Sequence, residues 1–244
     1  MSTLPDVPLK TYRKEFDHSY SFGVFPTVEL LERRPEAALK VLLSEAGRKN
    51  RGVAKIEQLC GRLGVRVEVN DKVVERLAPR ENAYAVGVFR KYERDLDPAT
   101  PHVALVNPSD MGNLGTIMRT MLGFGVRDLA LVRPAADVFD PRVVRSSMGA
   151  LFGISFRYFD TWEHYAGHFL RTYYPFMTGG TLMLPDARFE RPHTLVFGSE
   201  SAGLPEEFRA RGTPVTIPQS NEIDSLNLTI AVGIALYEAA TRNA

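Results

Sequence analysis

From residue 103 onward, buried-strand patterns alternate with helical patterns, and this alternation limits the possible folds more than any other feature. Apolar, β-branched runs predict strands at 103–106, 129–132, 154–158, 173–177, 181–184, 194–197 and 215–217. Helical periodicity predicts helices at 114–124, 142–151, 162–170 and 205–211, and a last helix after residue 225. Strands that alternate with helices run parallel, so the sequence predicts an α/β fold: a mostly parallel sheet flanked by helices.

The first hundred residues predict a smaller α/β domain. Strand patterns occur at 39–43, 65–69 and 84–89, and helical patterns at 26–38, 53–63 and 72–77, with a break at Pro35. Residues 1–22 show no clear period and predict an irregular lead-in. The stretch 95–101 contains two prolines and predicts a linker. We therefore expect an N-terminal domain at 1–94, a linker at 95–101 and a second domain at 102–244.

The charge balance argues against a chain that is basic throughout. The 244 residues contain 30 Lys and Arg against 29 Asp and Glu, a net charge of +1. Residues 1–101 hold 18 against 15, and the remainder 12 against 14, so any RNA-binding surface is a local patch biased towards the N-terminal part. A lone cysteine, Cys60, and an N-terminus without an apolar segment favour a cytoplasmic protein.

The C-terminal stretch 217–240 combines a strand end with the mouth of a long apolar helix. Pro218 closes the strand, a polar loop follows, and Ser225 and Asn227 stand where the helix begins. Such residues ordinarily cap a helix. Here they also place oriented hydrogen-bonding groups beside a strand end, which predicts half of a ligand site.

Two further clusters follow predicted strands, where ligands bind in open α/β sheets. In 107–119, the glycines predict a tight turn before a helix, and Arg119 is expected to face back over the strand ends, where an anionic substrate would lie. The alternative makes Asn113 a helix cap and Arg119 a solvated residue. In 195–207, a helix starting at Pro205 explains the end of the cluster but leaves Gly198, Glu200 and Gly203 without a structural reason.

Basic residues outside these clusters are candidates for contacts with RNA phosphates. Arg48, Lys49 and Arg51 form a basic loop between a strand and a helix, for which a solvated loop is the alternative. Arg142 and Arg145 stand on the next strand-to-helix connection of the second domain and could extend a phosphate-binding rim.

His164 and His168 stand four apart on a predicted helix, the spacing of a two-histidine metal site. No third ligand with suitable spacing is evident in the sequence, so we expect an ordinary surface role for this pair and no metal.

The three clusters together resemble the SpoU/TrmH branch of the SPOUT RNA methyltransferases. The matching residues are Asn113, Gly115 and Arg119 in motif 1; Gly198, Glu200, Gly203 and Leu204 in motif 2; and Ile217, Pro218, Ser225, Leu226 and Asn227 in motif 3. The resemblance covers about 103–240, and the N-terminal domain resembles the substrate-binding domain often found in this family. One departure is Asn221, where the family often has glycine; asparagine tolerates the left-handed conformation that a glycine would adopt.

The resemblance implies a trefoil knot, a homodimer, and S-adenosylmethionine as cofactor. It implies methyl transfer to a ribose 2′-hydroxyl of tRNA or rRNA, with motif 1 of one subunit near the cofactor of the other. The residues implied for cofactor binding are Gly198, Ile217, Leu226 and Asn227, and those at the reacting end are Asn113, Arg119, Glu200, Ser225 and Asn227. A guanidinium is always protonated, so we expect Arg119 to clamp a phosphate and stabilise alkoxide charge rather than to act as a base.

Two other functions remain as alternatives. The first is a non-catalytic RNA-binding protein on the same scaffold, against which the joint presence of Arg119, Glu200 and Asn227 argues. The second is a nucleotide-dependent oxidoreductase on a doubly wound sheet. It is disfavoured because no Gly-x-Gly-x-x-Gly fingerprint follows the strand at 103–106.

Overall fold

The computed structural model describes residues 7–78 and 83–242, and these form two compact units. The N-terminal unit comprises residues up to 92 together with 137–153, and the C-terminal unit comprises 93–136 and 154 onward. The predicted division differs in two places: 137–153 was assigned to the second domain, and 93–101 to the end of the first domain and the linker. No helix of the described residues is long and apolar enough to cross a membrane.

The N-terminal unit is built on a four-stranded mixed sheet with the strand order β1-β4-β2-β3. Its elements are β1 (His18–Phe22), α1 (Val24–Arg33), β2 (Ala38–Leu43), α2 (Arg51–Leu63), β3 (Arg66–Val69), α3 (Asp71–Leu77), β4 (Ala85–Arg90) and α5 (Pro141–Ser146). As predicted, the first helix does not pass Pro35, which opens a short 3-10 turn. The interior is formed by side chains such as Tyr20, Leu42 and Val86, all fully buried.

Strand β1 lies within the stretch that was predicted to be irregular, so that prediction is wrong for its final residues; residues 1–6 lie outside the described part. The rings of His18, Tyr20 and Phe22 alternate with Ser19 and Ser21, but both serines are buried as well, so the polar residues do not mark a solvent-exposed face. It pairs antiparallel with β4.

The C-terminal unit is built on a five-stranded sheet with the order β7-β6-β5-β10-β8, in which every pair is parallel. Its elements are β5 (His102–Val106), α4 (Met111–Gly123), β6 (Asp128–Val132), β7 (Ser155–Phe159), α6 (Trp162–His168), β8 (Thr172–Pro175), β9 (Leu182–Met183), β10 (His193–Phe197), β11 (Val215–Thr216) and α7 (Leu228–Arg242). Strands β9 and β11 form a separate parallel pair. The predicted parallel α/β architecture is confirmed.

Three predicted helices of the second domain differ from the structure: one in its start, one in its end and one in its type. Helix α4 begins three residues before 114, because the Asp110 side chain caps it by accepting from the Asn113 N–H at 2.7 Å. Helix α5 ends at Ser146, since Met148 (φ 50°) leaves the helical region. The predicted helix 205–211 is a 3-10 segment, Glu206–Ala210.

The predicted linker at 95–101 packs against its own unit. Leu96 is buried in a cluster with Ala104, Val132 and Phe159. The carboxylate of Asp128 accepts hydrogen bonds from the backbone N–H of Asp97 (3.0 Å) and from the hydroxyl of Thr100 (2.8 Å). This stretch is therefore a fixed part of the C-terminal unit and not a free linker.

Candidate cofactor and active site

The carboxyl ends of β5 and β10 mark the point at which the strand order reverses. From β5 the chain adds β6 and β7 on one side, whereas β10 and β8 lie on the other. Ligands of open α/β sheets bind outside the carboxyl ends of the strands at such a point. Motif 1 follows β5 and motif 2 follows β10, so the fold places both at this edge.

The loop after β10 folds back on itself at its two glycines. A Cβ atom added to Gly198 would lie 1.9 Å from the carbonyl carbon of Gly203, so no larger residue fits there. Gly203 has a φ of +66°, and its N–H donates to the carbonyl of Ser199 at 3.0 Å. This geometry supplies the reason for the two glycines that the sequence alone left unexplained.

Glu200 joins the loop of motif 2 to the start of motif 1. One carboxylate oxygen accepts from the Ser109 hydroxyl (3.2 Å) and N–H (3.4 Å). The other accepts from the Asp110 N–H and from the Asn113 side-chain amide, both at 3.3 Å. Because four donors converge on one carboxylate, Glu200 fixes the two loops relative to each other.

The same contacts keep the Glu200 carboxylate charged. Partial burial is the largest single influence and raises its pKa. Hydrogen bonds from its own N–H, from the Asn113 amide and from the motif 1 backbone together outweigh burial, so the pKa lies below its usual value. A carboxylate with a lowered pKa is a weak base, and it suits anchoring better than proton abstraction.

Motif 3 opens helix α7. The side-chain oxygen of Asn227 accepts from the Thr229 N–H (2.9 Å) and hydroxyl (2.6 Å), and its backbone carbonyl accepts from the first turn. Asn227 is therefore a helix cap in this structure. Asn221 does not adopt a positive φ, since the only described non-glycine residues that do so are Asn107 and Met148. The loop thus does not need the left-handed conformation expected at Asn221.

A cavity of about 700 Å³ opens between these loops. Five of the residues implied for cofactor binding or for the reacting end line it: Gly198, Glu200, Ile217, Ser225 and Leu226. One wall, formed by 176–179 and Met183, was missed by the sequence reasoning. The adjacent Gly179-Gly180 pair after a predicted strand was the available signal, because Gly180 approaches the Pro214 carbonyl too closely for a side chain.

Two other motif 1 residues lie away from the cavity wall. Asn113 reaches the site only through its hydrogen bond to Glu200. Arg119 is exposed on α4, does not line the cavity, and makes no hydrogen bond or ion pair with any residue that the structure describes. Within a single chain, Arg119 therefore does not lie over the strand ends, where it was expected.

The remaining candidates lie elsewhere. Arg48, Lys49 and Arg51 are exposed in the N-terminal unit. Arg142 and Arg145 belong to that same unit, and the Arg142 guanidinium is held by both carboxylate oxygens of Asp140 (2.9 and 3.0 Å).

The rings of the two histidines of α6 lie 4.9 Å apart at a tilt of 60°, and the ring nitrogen Nδ1 of His168 donates to the His164 carbonyl at 2.8 Å. Within residues 7–78 and 83–242, no group of three or more His, Cys, Asp or Glu side chains is arranged to hold a metal ion.

Residues 100–237 match the model of the SpoU rRNA Methylase family. The chain belongs to this family. That match covers more than half of the chain and includes the cavity loops, and it confirms the resemblance drawn from the three motifs.

Named SpoU relatives extend the likeness. An uncharacterised tRNA/rRNA methyltransferase of Synechocystis is 32% identical over 70% of this chain and 65% of its own length, so the chain spans just under two thirds of that relative. A 23S rRNA (guanosine-2′-O-)-methyltransferase of Acinetobacter baylyi is 27% identical over 90% of this chain and 96% of its own. The crystal structure of an AdoMet-bound rRNA methyltransferase from Sinorhizobium meliloti superposes with a TM-score of 0.80, at 28% identity, over 95% of this chain and 89% of that one.

Proposed function

We propose that this chain transfers a methyl group from S-adenosylmethionine to a ribose 2′-hydroxyl of tRNA or rRNA. The observation that carries the proposal is the cavity at the sheet's switch point, which all three motif segments build and motifs 2 and 3 line. The names of the relatives support the reaction, and the AdoMet-bound state of the similar crystal structure supports the cofactor.

The cavity fits such a cofactor in size and in chemistry. Its volume lies within the range of roughly 300–1,000 Å³ that is usual for small-molecule sites. Phe176 and Phe197 stack with ring centroids 4.6 Å apart and supply an apolar part of its lining. We propose that the backbone at Gly198 and Ile217 and the side chain of Leu226 hold the cofactor, with Asn227 ordering the adjoining helix start.

Bound S-adenosylmethionine supplies an already activated methyl group. The protein therefore has mainly to position the methyl donor and the hydroxyl and to stabilise the charge that develops on the hydroxyl oxygen. Arg119 is proposed to clamp an RNA phosphate and to stabilise the developing alkoxide, because its planar fork suits a phosphate and it cannot lose a proton. Glu200 and Asn113 position motif 1. Ser225 is proposed to orient the attacking hydroxyl from the cavity wall.

We further propose a homodimer in which α4 of one subunit approaches the partner's cavity. Helix α7 exposes Ile230 (53%) and Tyr237 (55%), an apolar surface typical of an interface. Thr120 packs against α7 at Gly233, with 3.8 Å to a Cβ built there, so the neighbouring Arg119 stands beside this surface. In a dimer formed through α7, the exposed Arg119 of one subunit would lie near the cavity of the other. We also propose that the chain forms the trefoil knot of the family and acts in the cytoplasm. In this proposal, residues 1–94 bind the RNA substrate and residues 102–244 form the methyltransferase domain.

Contacts with RNA are proposed for the N-terminal unit through Arg48, Lys49 and Arg51, with Arg142 and Arg145 as further phosphate contacts. All five cations belong to that unit, and the first three lie within residues 1–101, where positive charge is in excess.

Isothermal titration with S-adenosylmethionine, its demethylated product and a nicotinamide dinucleotide tests the cofactor. The proposal expects saturable binding of the first two and none of the third. Binding of the nicotinamide cofactor alone would favour the oxidoreductase alternative and contradict the proposal.

A further inference from the structure

The basic loop, residues 47–52 with the sequence Gly-Arg-Lys-Asn-Arg-Gly, joins β2 to α2 in the N-terminal unit. Its backbone is fixed at both ends. The Ser44 hydroxyl donates to Asp71 at 2.7 Å just before the loop, and the Asn50 side chain accepts from the Gly52 N–H at 2.8 Å at its end. The loop therefore presents its cations from a defined position.

Two exposed aromatic residues belong to the chain segments that contact the two ends of the basic loop. A Cβ built on Gly47 would lie 2.8 Å from the Cβ of Tyr84, whose side chain is 37% exposed. A Cβ built on Gly52 would lie 2.3 Å from Val24, and the next residue, Phe25, is 53% exposed. The segments that carry Tyr84 and Phe25 therefore contact the loop at Gly47 and at Gly52, its two ends.

The cations of the basic loop are available to a ligand. Lys49 and Arg51 are exposed and form no ion pair with any described residue. Arg48 pairs with Glu45 at 2.8 Å, but both side chains are largely exposed. Exposed pairs of this kind contribute about 0–1 kcal/mol, so a phosphate can displace Glu45 from Arg48.

We propose that the basic loop, Phe25 and Tyr84 form a binding site for unpaired RNA nucleotides, whose bases stack on the two rings and whose phosphates contact Arg48, Lys49 and Arg51. Cations that follow the backbone beside exposed rings are the chemistry of single-strand recognition. The bases of an A-form duplex are stacked inside the helix and offer no face to these rings. This inference rests on the proposed function in taking RNA as the substrate, and it adds which RNA structure the N-terminal unit selects.

Fluorescence anisotropy with the full chain tests the site. The probes are a labelled single-stranded oligouridine of about ten nucleotides, within the site size of known single-strand binders, and an RNA duplex of the same length. The wild type binds the single strand more tightly. Phe25→Ala weakens this binding about fivefold or more, and Phe25→Tyr retains it because the ring remains. Tyr84→Ala has the same effect while keeping the Cβ atom that packs on Gly47.

Salt dependence separates stacking from charge. Between about 50 and 200 mM salt, Lys49→Ala lowers the slope of log affinity against log salt by about 0.7, whereas Phe25→Ala leaves the slope unchanged. The matched control is Arg62→Ala, an exposed cation in the last turn of the same helix α2, which changes neither quantity.

Wild-type affinity in Phe25→Ala, a preference for the duplex, or no binding of either RNA by the wild type overturns the inference. Methyl transfer is measured separately. If Phe25→Ala binds the single strand as tightly as the wild type and methyl transfer is intact, only this inference is contradicted. If Phe25→Ala weakens binding but the wild type transfers no methyl group, only the proposed function is contradicted.

Discussion

Replacing Gly198 by alanine is a direct test of the folded-back loop that forms the cavity wall. The new Cβ would lie 1.9 Å from the Gly203 carbonyl carbon and 2.1 Å from its oxygen, whereas ordinary Cβ contacts begin at 3.4 Å. The loop backbone must therefore move by roughly 1.5 Å, the difference between 3.4 and 1.9 Å. Because the obstacle is backbone and not a flexible side chain, no change of rotamer relieves the clash.

The expected destabilisation is about 3 kcal/mol, the upper end for overpacked sites. For a chain of this length that corresponds to a fall in Tm of roughly 6–12 °C. If the loop moves instead of the unit unfolding, the displaced wall lowers the affinity for S-adenosylmethionine by about tenfold or more. Thermal unfolding and titration of the cofactor measure the two effects on the same protein.

Two other glycines serve as controls. Gly61 lies inside α2 with nothing within 4 Å of a built Cβ, so Gly61→Ala should stabilise the protein by about 0.5–1 kcal/mol. Gly203 also has open space but a φ of +66°, so Gly203→Ala should cost only the conformational term of about 1–2 kcal/mol. A Gly198→Ala variant with both wild-type Tm and wild-type cofactor affinity would refute the account of the loop.

Three further predictions follow from other parts of the molecule. Arg119→Ala keeps cofactor affinity but lowers single-turnover methyl transfer about a hundredfold or more, and Arg119→Lys recovers little; near-normal transfer would remove Arg119 from the catalytic set. Ile230→Asp gives a mass near the 27.2 kDa of one chain by light scattering, whereas a wild-type protein of that mass would disprove the dimer. Burial lowers the pKa of His102 to about 4, so the unfolded chain takes up a proton that the folded chain does not; stability falls by roughly 3 kcal/mol as pH drops from 6.5 to 4. Urea unfolding across this range should show a smaller loss of stability for His102→Gln than for the wild type.

Burial is the largest cause of the low pKa of His102, and the hydrogen bond to the Asp97 carbonyl, which favours the protonated ring, does not offset it. Its Nε2 donates to the Asp97 carbonyl at 2.8 Å, which leaves Nδ1 to accept from the Tyr165 hydroxyl at 2.9 Å. The Tyr165 oxygen in turn accepts from Thr194 at 2.6 Å. A second proton on the ring would break this chain of hydrogen bonds.

The sequence predicted the parallel strands well because β5, β6 and β10 are short apolar runs bounded by polar turns. It predicted the cavity loops because motif residues such as Gly198 follow those strands directly. What it missed depends on tertiary contacts. Strand β1 has two buried serines in place of an apolar run, and the Asp110 side chain caps α4 three residues before the predicted start, within the glycine-rich segment.

The position of Arg119 was also beyond local reasoning. Helical spacing places it two turns along α4, but the side of α4 that faces the cavity is decided by how that helix packs on α7. The wall at 176–179 likewise comes from a strand end whose partner in the sheet, β10, lies about twenty residues further along the chain.

Methyl transfer to a ribose hydroxyl can be tested by nucleoside analysis of RNA that the protein has methylated. Total tRNA and rRNA from cells lacking the protein would be incubated with it and isotope-labelled S-adenosylmethionine, digested to nucleosides and analysed by mass spectrometry. The account predicts label in a 2′-O-methylnucleoside, with the added mass on the ribose fragment. Label on the base fragment, or cofactor binding without transfer to either RNA class, would contradict it.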